Sequence, residues 1–474
     1  MPEDGSQTRS NPGAIRVWPL LVGLSPVPVM AGMLAGPSLS FLTEGQAMAA
    51  VAIGVAAGAT LLWVLLDLMR SGDEEAEKLF PSGHAPARTL WLIGAVMVGG
   101  LGAVWFGQSV SDQGAFWSQH ARVVVAAGIV GVVLTARCLV TALLRGRRRL
   151  VFGVLSIVLV AWGVVAAHTG WSTYPVTFDR ALAFPCQFCR SPYLHPPDPG
   201  WVGFVNDVGL GLASMLVSLP WAATGSHPGS AQARKHVLAM AAGAGVLVAG
   251  LMFVGSQLGP MFYDPAWALT LGQSGWHAFV VLIAELGGTA MFLAVASATA
   301  LAEGSVRRQG IGATLLMLLS ALVALILFDK PVSTASFTNA EIGILALAYP
   351  VAPWAGAVAG RWLATRRRGG QPGPVSRLLL AWAVGFAVSL PGVRGWSRWD
   401  GGRVLHTLLP GIAGRPALSL TNGNWSIVPP QTVDWALAAG LTSAALVSML
   451  LTAGPITFRR ARTRQTHAPE RPSS

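Results

Sequence analysis

Apolar residues in this chain come in runs of roughly 20, the length a helix needs to cross about 30 Å of hydrocarbon. Short polar segments separate the runs. The pattern predicts spans near 16–36, 45–69, 89–110, 121–144, 150–168, 200–224, 235–262, 275–303, 309–329, 336–360, 375–392 and 431–454. The first run holds internal prolines and the eleventh is short. The expectation is an all-α integral membrane protein of about 12 transmembrane helices.

The polar segments sharpen the picture. Arg70, Lys78 and Arg88 lie in one connection, Arg145, Arg147, Arg148 and Arg149 in another, then Arg234 and Lys235, Arg307 and Arg308, and Arg361, Arg366, Arg367, Arg368 and Arg377. The C-terminal tail adds Arg459, Arg460, Arg462 and Arg464. The alternate connections are poor in bases, apart from four arginines in the long segment 393–430. With twelve spans every basic cluster falls on one side. The positive-inside rule then predicts a multi-pass plasma-membrane protein with both termini cytoplasmic. The organisation expected is a cytoplasmic tail at 1–15, spans 1–5 at 16–168 and an extracellular loop at 169–199. Spans 6–10 follow at 200–360, spans 11–12 with the outer loop 393–430 at 361–458, and a basic cytoplasmic tail at 459–474.

Composition narrows the function. Of 474 residues 53% are hydrophobic and only 11% charged, where a soluble chain of this length carries about a quarter. The net charge of +12 sits beside the spans, where it meets anionic lipid, so nucleic acid is not an expected partner. Cys138 lies inside a span and reads as a small packing residue. Cys186 and Cys189 form a single CxxC in an outer loop, half a zinc site at best, readable as a tight disulfide or as two free thiols. No Walker loop, GxSxG or HExxH is present, so an enzyme is not expected.

Polar residues inside spans are then the clue, because each is costly and tends to face a cavity or the bundle interior. Span 1 carries Gly23, Pro26, Pro28, Gly32 and Gly36; span 6 carries Gly209, Gly211 and Pro220. Pro-x-Pro removes two donors, so breaks are predicted near mid-membrane at Gly23–Pro28 and at Gly209–Gly211. Interrupted helices at matching places in two halves point to a transporter site; ordinary kinks are the alternative. In span 3, Trp105 is expected to line a solute path, with Gln108 or Ser109 supplying a polar contact; an interfacial belt position is the alternative. In span 8, Glu285 stands one turn before Thr289 and is a candidate for proton coupling or for a cation, against a plain structural hydrogen bond. Asn206 and Asp207 of span 6 and Asn339 and Glu341 of span 10 read as outer-end, headgroup-exposed residues.

Four segments resemble the nucleobase–cation symporter family of the purine/cytosine permease type. They are Trp105-Phe106-Gly107; Phe337 to Arg361, with Ala352-Pro353-Trp354-Ala355-Gly356; Leu380-Ala381-Trp382-Ala383-Val384-Gly385-Phe386; and Val433-Asp434-Trp435 followed by Gly440. The chain departs from the family where solute binds: Ser109 stands four residues after the Trp where the family usually has Gln, Leu219-Pro220-Trp221-Ala222 replaces an Asp-x-x-Arg step, and Thr289-Ala290-Met291-Phe292 replaces an Asn-rich stretch. The resemblance implies a LeuT-type core of 5+5 inverted repeats plus two helices, moving a small, nucleobase-like heterocyclic solute by alternating access with H⁺ or Na⁺. It places a sodium ion between span 1 carbonyls, around Gly23 and Pro26, and span 8 hydroxyls, where Thr289 matches best. Gly209, Gly211 and Thr289 join Trp105, Gln108 and Ser109 as expected solute contacts. No cofactor other than a coupling ion is expected, and the oligomeric state is left open. Two other readings stand beside it: a transporter-like sensor or partner subunit that does not transport, and a membrane enzyme using Asp179, His195, Asp198, Asp400 or His406 of the outer loops.

Overall fold

The computed structural model describes residues 14–35, 44–71, 73, 78–81, 85–111, 130–131, 134–139, 141–142, 147–171, 200–226, 234–257, 275–300, 315, 318–320, 322, 336–368, 374–390, 418–421, 424–427 and 435–453. Cys186, Cys189 and the five outer-loop residues named for an enzyme lie outside them. Eleven helices are described: α1 (Ala14–Gly23), α2 (Pro26–Leu34), α3 (Glu44–Arg70), α4 (Ala85–Ser111), α5 (Arg148–Trp171), α6 (Gly200–Ser226), α7 (Arg234–Gln257), α8 (Gly275–Ala300), α9 (Ser336–Arg368), α10 (Val375–Ser389) and α11 (Ala436–Ala453). They match spans 1–3, 5–8 and 10–12 of the hydrophobic pattern, span 1 being split in two. Spans 4 and 9 lie largely outside the described residues.

The chain is a multi-pass membrane protein. Among the described residues α3, α6, α7 and α8 each contain a stretch long and apolar enough to cross a bilayer. Their packing is that of a lipid-facing bundle: Phe152, Ile157 and Val160 of α5 and Val246 and Phe253 of α7 are exposed, while alanines, glycines and leucines fill the interior. Small residues let helices approach closely. Gly356 and Gly360 of α9 lie one turn apart against the Leu441 and Ala445 carbonyls of α11, a GxxxG contact, and α10 packs on both helices. In the other half of the bundle α3 packs on α6, α7 on α2 and α3, and α8 on α1, α4 and α5.

Several expectations need correction. Span 6 is one continuous helix, α6. Gly209 keeps its place in the helix with open space around it, and Gly211 lies against the Val51 carbonyl of α3, so this glycine serves close packing and not a chain break. Asn206 and Asp207 are buried, because α6 is covered on this side by neighbouring helices. Cys138 is exposed and packs into no core. At 33 residues α9 is about 50 Å long, longer than the hydrocarbon, so its basic end emerges from the membrane. The segment 393–430 holds an antiparallel hairpin, β1 (Leu418–Thr421) with β2 (Asn424–Ile427), pairing Leu418 with Ile427 and Thr421 with Asn424.

Candidate functional site

The site begins with the break between α1 and α2. Pro26 and Pro28 have no N–H, so the Val22 and Leu24 carbonyls lose their usual partners. The chain answers with two tighter bonds: Ser25 N–H donates to Val22 O at 3.0 Å and Val27 N–H to Leu24 O at 2.9 Å. Leu24 and Ser25 form the turn, and Pro26 opens α2 at a first helical position, where its missing N–H costs little. The amide that would have served the Gly23 carbonyl is thereby committed elsewhere.

The break is held from two sides. Trp162 of α5 donates its indole N–H to Ser25 Oγ at 2.7 Å, and both side chains are buried. Gly23 packs backbone to backbone on α8: a Cβ there would sit 2.7 Å from Phe292 Cα. Gly288 of α8 faces the second half of the break, its notional Cβ 3.2 Å from Pro26 Cδ and 3.3 Å from Ser25 Oγ. Any side chain at Gly23 would push α8 off the break, and one at Gly288 would need Pro26 or Ser25 to give by a few tenths of an ångström.

An apolar cleft opens beside this junction. It encloses about 360 Å³, open mouth included, and is narrow enough that about one water fits its interior. Gly23, Leu24, Pro26 and Val27 line it from the break, Val98 and Gly102 from α4, Thr289 and Phe292 from α8, and Ile344 and Leu347 from α9. Among the described residues Thr289 is the one polar side chain of the lining. A mid-helix threonine ordinarily returns its hydroxyl to the carbonyl four residues back, as Thr60, Thr89, Thr141 and Thr442 do here. Thr289 does not. Its Oγ1 is buried with no hydrogen-bond partner.

The expected residues fall unevenly around this cleft. Gly23, Pro26 and Thr289 come together in its wall. Glu285 is 2% exposed, one turn from Thr289 on α8, but is not part of the lining. Gly209 and Gly211 are not in the lining either, because α6 is unbroken and Gly211 turns to α3. Trp105 and Ser109 fall three and seven residues after Gly102, on one strip of α4, and Gln108 falls three after Trp105, at the edge of that strip. The side chains at 105–109, and those of Asn339 and Glu341, are outside the described set.

Residues of the site that the pattern did not single out are Ser25, Trp162, Phe292, Ile344, Leu347 and Trp221, whose ring meets Phe292 edge-on at 6.2 Å. A signal existed for Trp162, since a lone Trp in mid-span must find a partner for its N–H.

No family model and no curated protein matches the chain. Solved structures do. The inward-facing conformation of Mhp1 aligns over 93% of this chain and 90% of that chain, with TM-score 0.54 and 15% identity. Mhp1 in a closed conformation with bromovinylhydantoin bound, described as a nucleobase-cation-symport-1 family transporter, aligns over 93% and 91%, with TM-score 0.53 and 15% identity. At that identity the likeness shows the fold, and it covers nearly the whole of both chains.

Proposed function

We propose that the chain is a secondary transporter that carries a small, flat heterocyclic solute across the membrane by alternating access, coupled to H⁺ or Na⁺. The observation that carries this reading is the junction itself: a helix broken in mid-span, facing an unpartnered buried hydroxyl across a cleft between four helices. Non-helical backbone at membrane depth is tolerated only beside protein or a cavity, and here it has both. The shared fold of a transporter with a hydantoin bound supports the solute class. Solute would enter between the break, α4 and α9, with Trp105 stacking on a flat ring and Ser109 as the polar contact. Gln108, three residues after Trp105 on the same helix, is the other candidate for that contact.

Of the two coupling ions, H⁺ through Glu285 fits better. A hard cation collects several oxygens. Among the described residues the lining offers the Thr289 hydroxyl and the backbone around Gly23 and Leu24, the other side chains being apolar. Glu285 is a buried carboxyl one turn away, able to take and release a proton as the cleft opens to either side. Thr289 with the break would hold Na⁺ in the alternative. The test is uptake of radiolabelled uracil, cytosine and a hydantoin into proteoliposomes under a pH gradient or a Na⁺ gradient. Glu285→Gln should abolish accumulation under the pH gradient but allow solute exchange. Accumulation by that variant under a pH gradient, or a wild type driven by Na⁺ alone, would remove the H⁺ assignment.

A second reading, a transporter-like sensor or partner subunit, draws on one observation: the cleft is narrow and, among the described residues, nearly all apolar. It expects solute binding without accumulation under either gradient.

A further inference from the structure

We infer that Asp73, Leu79 and Phe80, between α3 and α4, form a plug that seals the basic, cytoplasmic side of the cleft, clamped to α9 by an aromatic cluster and a buried ion pair. The inference rests on reading the cleft as a transport path.

The argument starts from spacing on α9. Leu347 lines the cleft, Trp354 stands seven residues on, and Arg361 seven further. Two helical turns separate each pair, about 10 Å along the axis, and all three fall on one strip. On α4 the same step runs in the same direction: Val98 lines the cleft and Trp91 stands seven residues nearer the basic end. Trp91 and Trp354 meet edge to face with ring centroids 5.3 Å apart, so α4 and α9 are closed against each other two turns below the cleft.

The connection enters at that level. Phe80 is 0% exposed and packs edge-on to Trp354 at 5.3 Å. The Trp91 indole N–H donates to the Leu79 carbonyl at 2.9 Å. A loop residue with a fully buried phenyl ring is unusual, since connections ordinarily run over the surface. One turn-pair further out, Arg361 donates from Nε to Asp73 Oδ2 at 2.7 Å and from Nη2 to Asp73 Oδ1 at 2.6 Å. This two-point pair fixes distance and angle together, and Arg361 is 1% exposed. Beside it Asp67 of α3 accepts from Trp362 Nε1 at 2.9 Å and pairs with Arg70 and Arg366, each at 3.2 Å. The Arg366 guanidinium also lies 4.6 Å over the Trp362 ring. Both ends of the connection are therefore bound to the one helix that also walls the cleft. A solute leaving toward the basic side must pass Phe80, and α9 cannot tilt away without breaking the Arg361–Asp73 pair. Alternating access would have to open this pair.

The test needs no solute, so its failure and the failure of the transport reading are separable. Leu347→Cys is introduced in a background with Cys138→Ser, Cys186→Ser and Cys189→Ser. A membrane-impermeant methanethiosulfonate with a quaternary ammonium head is applied from the basic face or from the opposite face of oriented vesicles. Labelling from the basic face should be slow in this background. It should rise at least tenfold with Phe80→Ala, and likewise with the charge-removing pair Asp73→Asn and Arg361→Gln. Phe80→Leu keeps an apolar side chain for folding and should fall between. Labelling from the opposite face should not rise. Equal basic-face rates with and without these changes overturn the proposal. So does fast labelling before any change, or an equal rise from both faces, because a one-sided seal cannot open both.

Discussion

Spans 1 and 6 stand at matching places in the two halves of the fold, both rich in glycine and proline, and only one of them breaks. In span 1, Pro26 and Pro28 remove two donors within one turn, and the chain re-forms through a Leu24–Ser25 turn. In span 6 the glycines stay helical and the single Pro220 leaves α6 continuous from Gly200 to Ser226. Glycine permits a break but removes no hydrogen bond; Pro26 and Pro28 each remove one in the same turn, and there the chain breaks, although Pro350 and Pro353 are carried inside the unbroken α9. Gly23 and Gly211 nonetheless do the same job, letting one backbone meet another: Gly23 on Phe292 and Gly211 on Val51. The difference leaves the cleft one-sided, walled by the broken helix and not by its counterpart.

The comparison can be broken at several points. The largest effect is expected at the shared packing. Gly23→Ala and Gly211→Ala each drive a methyl into neighbouring backbone, and each should cost about 1–3 kcal/mol, read as lost thermal stability in detergent. If either is neutral, the close approach is not what that glycine is for. Next, Pro26→Ala with Pro28→Ala should restore the missing donors and heal span 1 into a helix like span 6. The expected result is a folded protein whose ligand affinity falls more than tenfold, about 1.4 kcal/mol or more. Trp162→Phe keeps the ring and loses the bond to Ser25 Oγ, a loss of about 1 kcal/mol. An equal loss in a Ser25→Ala background would show that the bond is not the cause. The smallest effect is at Gly209, where a Cβ meets nothing within 4 Å. Gly209→Ala should stabilise α6 by about 0.5 kcal/mol, and a large loss there would mean that span 6 does need its glycine.

Much of the frame was legible in the chain's own pattern. Ten of the hydrophobic runs appear as helices close to their expected bounds, because a bilayer fixes both length and polarity of a span. The span 1 break was legible from Pro-x-Pro. The span 6 break was misread because glycine's role depends on what stands opposite it, and the Val51 carbonyl is more than 150 residues away in sequence. The hairpin has a local signal, Asn422-Gly423 between alternating apolar positions, that hydrophobic run length does not register. Glu285 and Thr289 stood out by cost alone, but only the fold separates the hydroxyl in the cleft wall from the carboxyl one turn behind it. Asp73 carries no signal in the chain's pattern and Arg361 reads only as one of a basic cluster; their two-point bond depends on a contact across 288 residues.

The central claim is that the break and Thr289 form a ligand site. The most direct measurement is the thermal shift of purified protein against nucleobases, hydantoins and vitamins, with and without Na⁺, in wild type and in Thr289→Val. Ligand at 100 times its Kd stabilises a binding protein by about 2.7 kcal/mol. Because Thr289 Oγ1 has no partner to lose, Thr289→Val should melt at or slightly above the wild-type temperature without ligand. The account predicts a shift in wild type with at least one flat heterocycle, reduced or lost in Thr289→Val. A full shift retained in Thr289→Val, or no shift with any compound in wild type, would contradict it.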